Sequence, residues 1–234
     1  MTFGIIGAME EEISTLKSKM EIIETKVAAG CEFLKGRLDE RDVVLVKCGI
    51  GKVNAAICTQ ALIDSFRVSC VINTGVAGSM DDSVRVCDVV VSTDLVQHDF
   101  DTSAFGDDVI GSIPRLGMRF FKADGRLINA AYYTKAKGLK LHIGRVATGD
   151  QFIADKESKD KIKALFSPLC VEMEGAAIAH ACYLNKVPFV VIRSISDNSD
   201  GNADMSFENF VHIAAKNSSL IVEEILRNYS NDNS

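Results

Sequence analysis

Short runs rich in Val and Ile recur along the chain, without polar alternation inside them and with segments of helical period between them. Such runs read as strands at Gly4–Ala8, Val43–Lys47, Cys70–Asn73, Asp88–Ser92, Leu141–Thr148, Leu169–Val171 and Phe189–Ser194. A strand with no polar face must be covered on both sides. The spacing of apolar residues predicts helices over about 9–20, 52–66, 124–137, 156–166, 173–185 and 206–228. The last carries Phe207, Phe210, Val211, Ala214, Ala215 and Ile221 on one stripe. This alternation belongs to an α/β domain with a largely parallel sheet. A chain of 234 residues, 47% hydrophobic and 25% charged, can bury one sizeable core, so residues 1–234 are read as a single domain. Only about 229–234 reads as a frayed polar tail.

The charge balance removes several classes of function. Asp and Glu number 32 against 26 Lys and Arg, a formal charge of -6, and no basic run is present to neutralise a phosphate backbone. No nucleic-acid partner is expected. The longest apolar stretch, Val187 to Ile192, falls far short of the ~18 residues that span a bilayer, so no membrane span is expected either. Met1 to Met9 is followed by three glutamates and has neither the basic segment nor the long apolar segment of a secretory signal, which points to the cytoplasm. The 7 cysteines are odd in number and widely spaced, and read as reduced thiols in the core. His98, His142, His180 and His212 make no metal-binding spacing, and no metal is expected.

Two glycine motifs follow strands. Gly49-Ile50-Gly51-Lys52 opens a helix but lacks both the dinucleotide fingerprint and the P-loop spacing. Asn73-Thr74-Gly75-Val76-Ala77-Gly78 reads as a glycine turn at the carboxyl end of a strand, where open α/β sheets hold their ligands, though a plain tight turn would use the same glycines. Carboxylates also gather at junctions: Glu10, Glu11 and Glu12 after the first strand, Glu172 and Glu174 after Cys170-Val171, and Asp197 after Ser196. Each has an ordinary reading as a helix cap or a first-turn acid. Together, Glu12, Glu174, Arg193 and Asp197 stand just beyond strands whose ends can meet at one sheet edge. Acids buried beside one arginine acquire divergent pKa values, which separates a general acid from a base. The segment Gln97 to Met118 fits neither period and reads as a long functional or disordered loop.

The ordered motifs Gly4-Ile5-Ile6-Gly7-Ala8-Met9-Glu10-Glu11-Glu12, Gly49 to Ala56, Asn73 to Gly78, Val171-Glu172-Met173-Glu174-Gly175-Ala176-Ala177 and Arg193-Ser194-Ile195-Ser196-Asp197 resemble the bacterial 5'-methylthioadenosine/S-adenosylhomocysteine nucleosidases of the nucleoside phosphorylase superfamily. The resemblance runs to about Glu224. It implies a three-layer α/β/α fold with a central twisted mixed sheet, hydrolysis of an N-glycosidic bond to release adenine, small-molecule adenine nucleosides as substrates, and no cofactor. Position by position it implies Asp197 as the acid at adenine N7, Glu12 as the group that activates water, and Glu174 as the holder of the ribose hydroxyls. Met9, Ile50 and Met173 match apolar positions around the sugar, and Phe152 and Ile153 match the adenine-binding pair. Phe207 matches the lining of the 5'-thio pocket. Glu172, Arg193, Ser196 and Val76 fall at further substrate-site positions. The resemblance also implies a homodimer in which Phe105 walls the partner's pocket.

The chemistry suits these residue types. Adenine leaves poorly as an anion, and a positioned acid contributes about 10²- to 10⁴-fold. Asp197 must be protonated to act, against an ordinary pKa of ~3.9. Opposed carboxylates with water between them give inversion, as in glycoside hydrolysis. Glu10, Glu11 and Glu12 stand where a phosphate would have to bind, which favours water as nucleophile and leaves Arg193 to pair Glu12. Val76 stands where some relatives of this type carry Ser near the water. A sister phosphorylase, a futalosine-type hydrolase or a non-catalytic nucleoside-binding relative are the alternatives.

Overall fold

The computed structural model describes residues 1–106, 109–133, 138–199 and 203–230, the side chains of 204–206 excepted. In chain order the elements are β1 (Thr2–Gly7), α1 (Glu10–Lys19), β2 (Glu21–Ala28), β3 (Cys31–Leu38), β4 (Arg41–Lys47), α2 (Lys52–Phe66), β5 (Cys70–Ser79), β6 (Val89–Gln97), β7 (Phe121–Lys122), α3 (Gly125–Tyr132), β8 (Leu141–Thr148), α4 (Lys156–Phe166), β9 (Cys170–Glu172), α5 (Gly175–Asn185), β10 (Phe189–Asp197) and α6 (Ala203–Asn228).

The strand interiors read as apolar on both faces because both faces are covered. On β1, Ile6 packs toward α2 and α5, while Phe3 and Ile5 pack toward α1, α3 and α6. Val44 and Val46 of β4 likewise join the first cluster, and Val43 and Leu45 the second. The two clusters make the fold three-layered, α/β/α. The sheet is mixed: β1 pairs in parallel with β4 and β5, whereas β10 runs antiparallel to β6. It also curls on itself. β5 pairs with β10, β10 with β6, β6 with β8, β8 with β9 and β9 with β5, so five strands close a ring.

Several sequence expectations change. Residues 73–78 do not form a turn: they continue β5, which is buried along its whole length. Gly75 and Gly78 are there for clearance, since a Cβ on Gly75 would overlap Glu12 and Arg193 and one on Gly78 would come within 2.8 Å of Asp197 Oδ1. The hairpin β2–β3 has no counterpart among the expected strands, because β2 mixes charged and apolar residues, is exposed, and takes its pairing from β3. The irregular stretch begins later than Gln97 suggests, β6 reaching Gln97 itself. In the tail, Tyr229 is buried, its ring 5.6 Å from that of Phe3 and its carbonyl accepting from Arg41 at 2.9 Å. The end of the helix expected over 124–137 and the last residues of the tail lie outside the described residues.

Candidate active site

Four strand ends, those of β1, β5, β9 and β10, meet around one cavity of about 530 Å3. Its floor is ionic. Glu12 sits in the first turn of α1 and folds back over β1: Oε2 accepts the amides of Ala8 (2.6 Å) and Met9 (3.0 Å), and Oε1 accepts that of Val76 (3.0 Å). Burial pushes the Glu12 pKa up, and it prevails over the lowering by Arg193 and the three amides.

Arg193, on β10, is fully buried and donates to Asn73 Oδ1 at 2.6 Å. It also donates to Glu172 and, at 3.4 Å, to Glu174, while its nearest approach to Glu12 is 3.7 Å. The guanidinium thus pairs Glu12, as the sequence suggests, but holds Glu172 and Glu174 more closely. Glu172 is the shorter-range anchor because its Oε2 is already fixed by the amides of Glu174 (3.0 Å) and Gly175 (2.7 Å), and its Oε1 by the hydroxyl of Thr148. Burial works against the charge on Arg193, but the three carboxylates outweigh it and hold its pKa above the ordinary arginine value. Glu174, at the N-cap of α5, accepts the Gly51 amide at 2.9 Å. Burial pushes its pKa up to about 8, with Glu172 and Glu12 adding to the rise and Arg193 and the Gly51 amide opposing it.

Asp197 closes β10 on the other side, where a bulge between Ile195 and Asp197 re-aims the strand. Its Oδ1 accepts the Ser199 amide at 2.8 Å, and its Oδ2 lies 2.9 Å from Ser196 Oγ. That hydroxyl is also 3.4 Å from the Ala77 carbonyl. A single hydroxyl proton therefore serves both states of the acid: it points to Asp197 when the carboxylate is charged, and to Ala77 when Asp197 itself donates to Oγ. Glu12 lies over Gly75 and Asp197 over Gly78, three residues along β5, or ~10 Å at about 3.3 Å per residue.

The walls are apolar: Met9, Ile50, Val76, Met173, Phe152 and Phe207, the last two with ring centroids 5.9 Å apart and nearly perpendicular. Eleven of the residues singled out in the sequence line this one cavity, namely these six with Glu12, Glu172, Glu174, Ser196 and Asp197. Three do not. Arg193 lies beneath the carboxylates, Ile153 is packed with Val96 and Phe166 and lines a small recess beside Asp197, and Phe105 is 87% exposed on a 3-10 turn, Ser103–Phe105. Sequence reasoning assigned no role to Thr148 and Asn73, which position Glu172 and Arg193 respectively; the available signal was that each is the polar residue directly after an apolar stretch, Val146-Ala147 and Val71-Ile72. Among the described residues no group of three His, Cys, Asp or Glu is placed to hold a metal, and no helix is long and apolar enough to cross a membrane.

Comparison with known proteins accords with this geometry. The family model of the phosphorylase superfamily matches residues 2–227. The 5'-methylthioadenosine/S-adenosylhomocysteine nucleosidase of Geobacillus kaustophilus is 48% identical over 97% of this chain and 97% of its own. The chain belongs to this nucleosidase family. Among solved structures, the Neisseria meningitidis nucleosidase in complex with methylthio-immucillin-A superposes with a TM-score of 0.93 at 40% identity, covering 97% of this chain and 98% of that one. A futalosine hydrolase of Helicobacter pylori superposes with a TM-score of 0.92 at 36% identity, covering 97% of each chain.

Proposed function

We propose that the protein hydrolyses the N-glycosidic bond of 5'-methylthioadenosine and S-adenosylhomocysteine, and of 5'-deoxyadenosine, releasing adenine and the 5-substituted ribose. The observation that carries this reading is the pair of buried carboxylates, Glu12 from the start of α1 and Asp197 from the end of β10, that line one cavity. Inverting glycosidases likewise set a base and an acid on one site with a water between them. Asp197 protonates adenine at N7, so the base leaves as a neutral molecule. Glu12 takes a proton from the water that attacks the anomeric carbon. Glu174 holds the ribose hydroxyls, and Ile50, Met9 and Met173 pack around the sugar. Phe152 stacks on adenine, with the Ile153 backbone beside it, and Phe207 faces the 5'-thio group. Residues 1–234 act as one domain, in the cytoplasm, and pair as a homodimer in which the exposed Phe105 covers the partner's cavity.

Water is favoured over phosphate as nucleophile by what already fills the anion position. The amides of Ala8, Met9 and Val76, the donors a phosphate would need, are taken by Glu12.

A chromatographic assay of purified protein with 5'-methylthioadenosine, without and with phosphate, tests this directly. Adenine and free methylthioribose are expected in both buffers. Asp197→Asn is expected to bind the nucleoside yet lose about 10²- to 10⁴-fold in turnover. Adenine released only with phosphate, or an Asp197→Asn enzyme of full activity, contradicts the scheme; turnover of futalosine in place of methylthioadenosine moves the substrate to that of the Helicobacter relative.

A further inference from the structure

A set of polar contacts just outside the cavity serves none of the roles above. Helix α2 begins at Lys52 without a cap of its own, since its N-cap is Gly51 and its first turn holds no acid. Carboxylates from elsewhere in the chain meet its two leading amides. Gly51 donates to Glu174 Oε1 at 2.9 Å, and Lys52 donates to Asp150 Oδ1 at 2.8 Å. The Asp150 amide in turn donates to Asp99 Oδ2 at 2.9 Å. The Lys52 ammonium closes the circuit, donating to Asp99 Oδ1 at 2.6 Å and to Gln97 Oε1 at 3.3 Å. Asp99 follows β6, and Asp150 follows β8 two residues before Phe152. Lys52, Asp99 and Asp150 are absent from the cavity lining.

We propose that Lys52, Asp99 and Asp150 form a clasp that fixes Gly51 against Glu174 and so sets the grip on the ribose from outside the site, a positioning role that rests on the nucleosidase activity proposed above. The geometry leaves the loop little freedom. Gly51 has φ +98, open to glycine and few other residues, and a Cβ there would lie 3.2 Å from Asp150 Oδ1. The end of α2 is therefore held between two carboxyl groups that accept its leading amides, Glu174 on the cavity side and Asp150 on the clasp side. The side chains of Lys52 and Asp99 are each only 17% exposed, so their pair is shielded from the solvent screening that weakens surface ion pairs. Without Asp99, the Lys52 ammonium loses its anion and the Asp150 amide its acceptor. The amide end of α2 is then free to drift, and the Gly51 bond to Glu174 lengthens. Hydrogen bonds weaken steeply with distance and angle, so Glu174 loses its alignment before any residue of the cavity is altered.

The test compares two ligands in Asp99→Ala, Lys52→Met and the double variant. Steady-state kinetics give KM and kcat for 5'-methylthioadenosine, and competition gives the inhibition constant of its 2',3'-dideoxy counterpart, which has no hydroxyls for Glu174 to hold. Each single variant is expected to raise KM about 10-fold, the size of one charge-assisted hydrogen bond. The inhibition constant of the dideoxy ligand is expected to stay within about twofold of wild type, because it never used that bond. The double variant is expected to be no worse than either single, as for residues acting through one contact. Equal weakening of both ligands, or additive effects, would overturn the clasp in favour of general loosening of the fold. If Asp99→Ala does not fold, Asp99→Asn keeps one acceptor and is expected to show the same ligand-selective pattern at smaller size. A wild type that releases no adenine refutes the activity; an active wild type with unaltered clasp variants refutes the clasp alone.

Discussion

At the floor of the cavity Glu12, Glu172, Glu174 and Arg193 are buried, and every carboxylate oxygen among them has a partner. At the rim Ile50 and Phe152 stand 52% and 48% exposed, with Phe207 meeting Phe152 edge to face. The floor is fixed by backbone amides at strand ends and helix starts and by a guanidinium carried on β10. The rim consists of side chains on loops and helix ends. The floor therefore holds its carboxylates in place before any ligand arrives, as electrostatic preorganisation requires. The rim gains its apolar contacts only when a ligand, or a second copy of the chain, covers it. Charged and apolar groups of the cavity are thus divided between a tightly held part and a more exposed one.

Removing the centre of the floor is the severest way to break this contrast. Arg193→Met leaves three acids buried without their cation, and chemical denaturation is expected to show a loss of about 3–5 kcal/mol, enough to consume much of a typical domain's stability. A loss below ~1 kcal/mol would mean that the carboxylates are already largely neutral. At the rim the effect is expected to fall on binding instead. Phe152→Ala should raise KM about 10-fold, or ~1.4 kcal/mol, and leave the unfolding midpoint nearly unchanged. A large drop in that midpoint would show that the rim carries structure as well.

A third contrast is a slope with pH. A glutamate whose pKa is raised from 4.5 to about 8 on folding binds more protons folded than unfolded. The stability from Glu174 is thus fully present below the unfolded pKa of 4.5 and is lost as pH rises through about 8. Thermal unfolding followed from pH 5 to pH 9 is expected to fall, and Glu174→Gln to flatten that slope; a slope of the same size in the variant would assign it to other groups.

The same division explains what was legible in the sequence. Val43–Lys47 and Phe189–Ser194 are apolar on both faces, so their strands and their burial follow from composition. The hairpin Glu21–Leu38 was invisible because β2 is exposed and its pairing partner, not its own pattern, makes it a strand. Gly75 and Gly78 carry the signature of a turn, and only the overlying Glu12, Arg193 and Asp197 show that clearance was the requirement. The acids of the floor were legible as a set because they fall at strand ends. Which of them Arg193 holds most closely depends on amide positions around Glu172, and no side-chain pattern encodes those.

The closed ring of strands has a consequence for how the chain reaches this state. β10 is the last strand, yet residues 189–197 lie against residues 71–78, so the ring shuts only after most of the chain has been made. Such distant pairings carry the entropy of closing a long loop and form slowly. Arg193 and Asp197 arrive on that strand. Until it docks, Glu12, Glu172 and Glu174 have no cation and must stay hydrated, because burying an unpaired charge is too costly. The acids thus act as a latch on assembly: the sheet cannot close over them early, and the step that buries them is also the one that delivers Arg193 and Asp197.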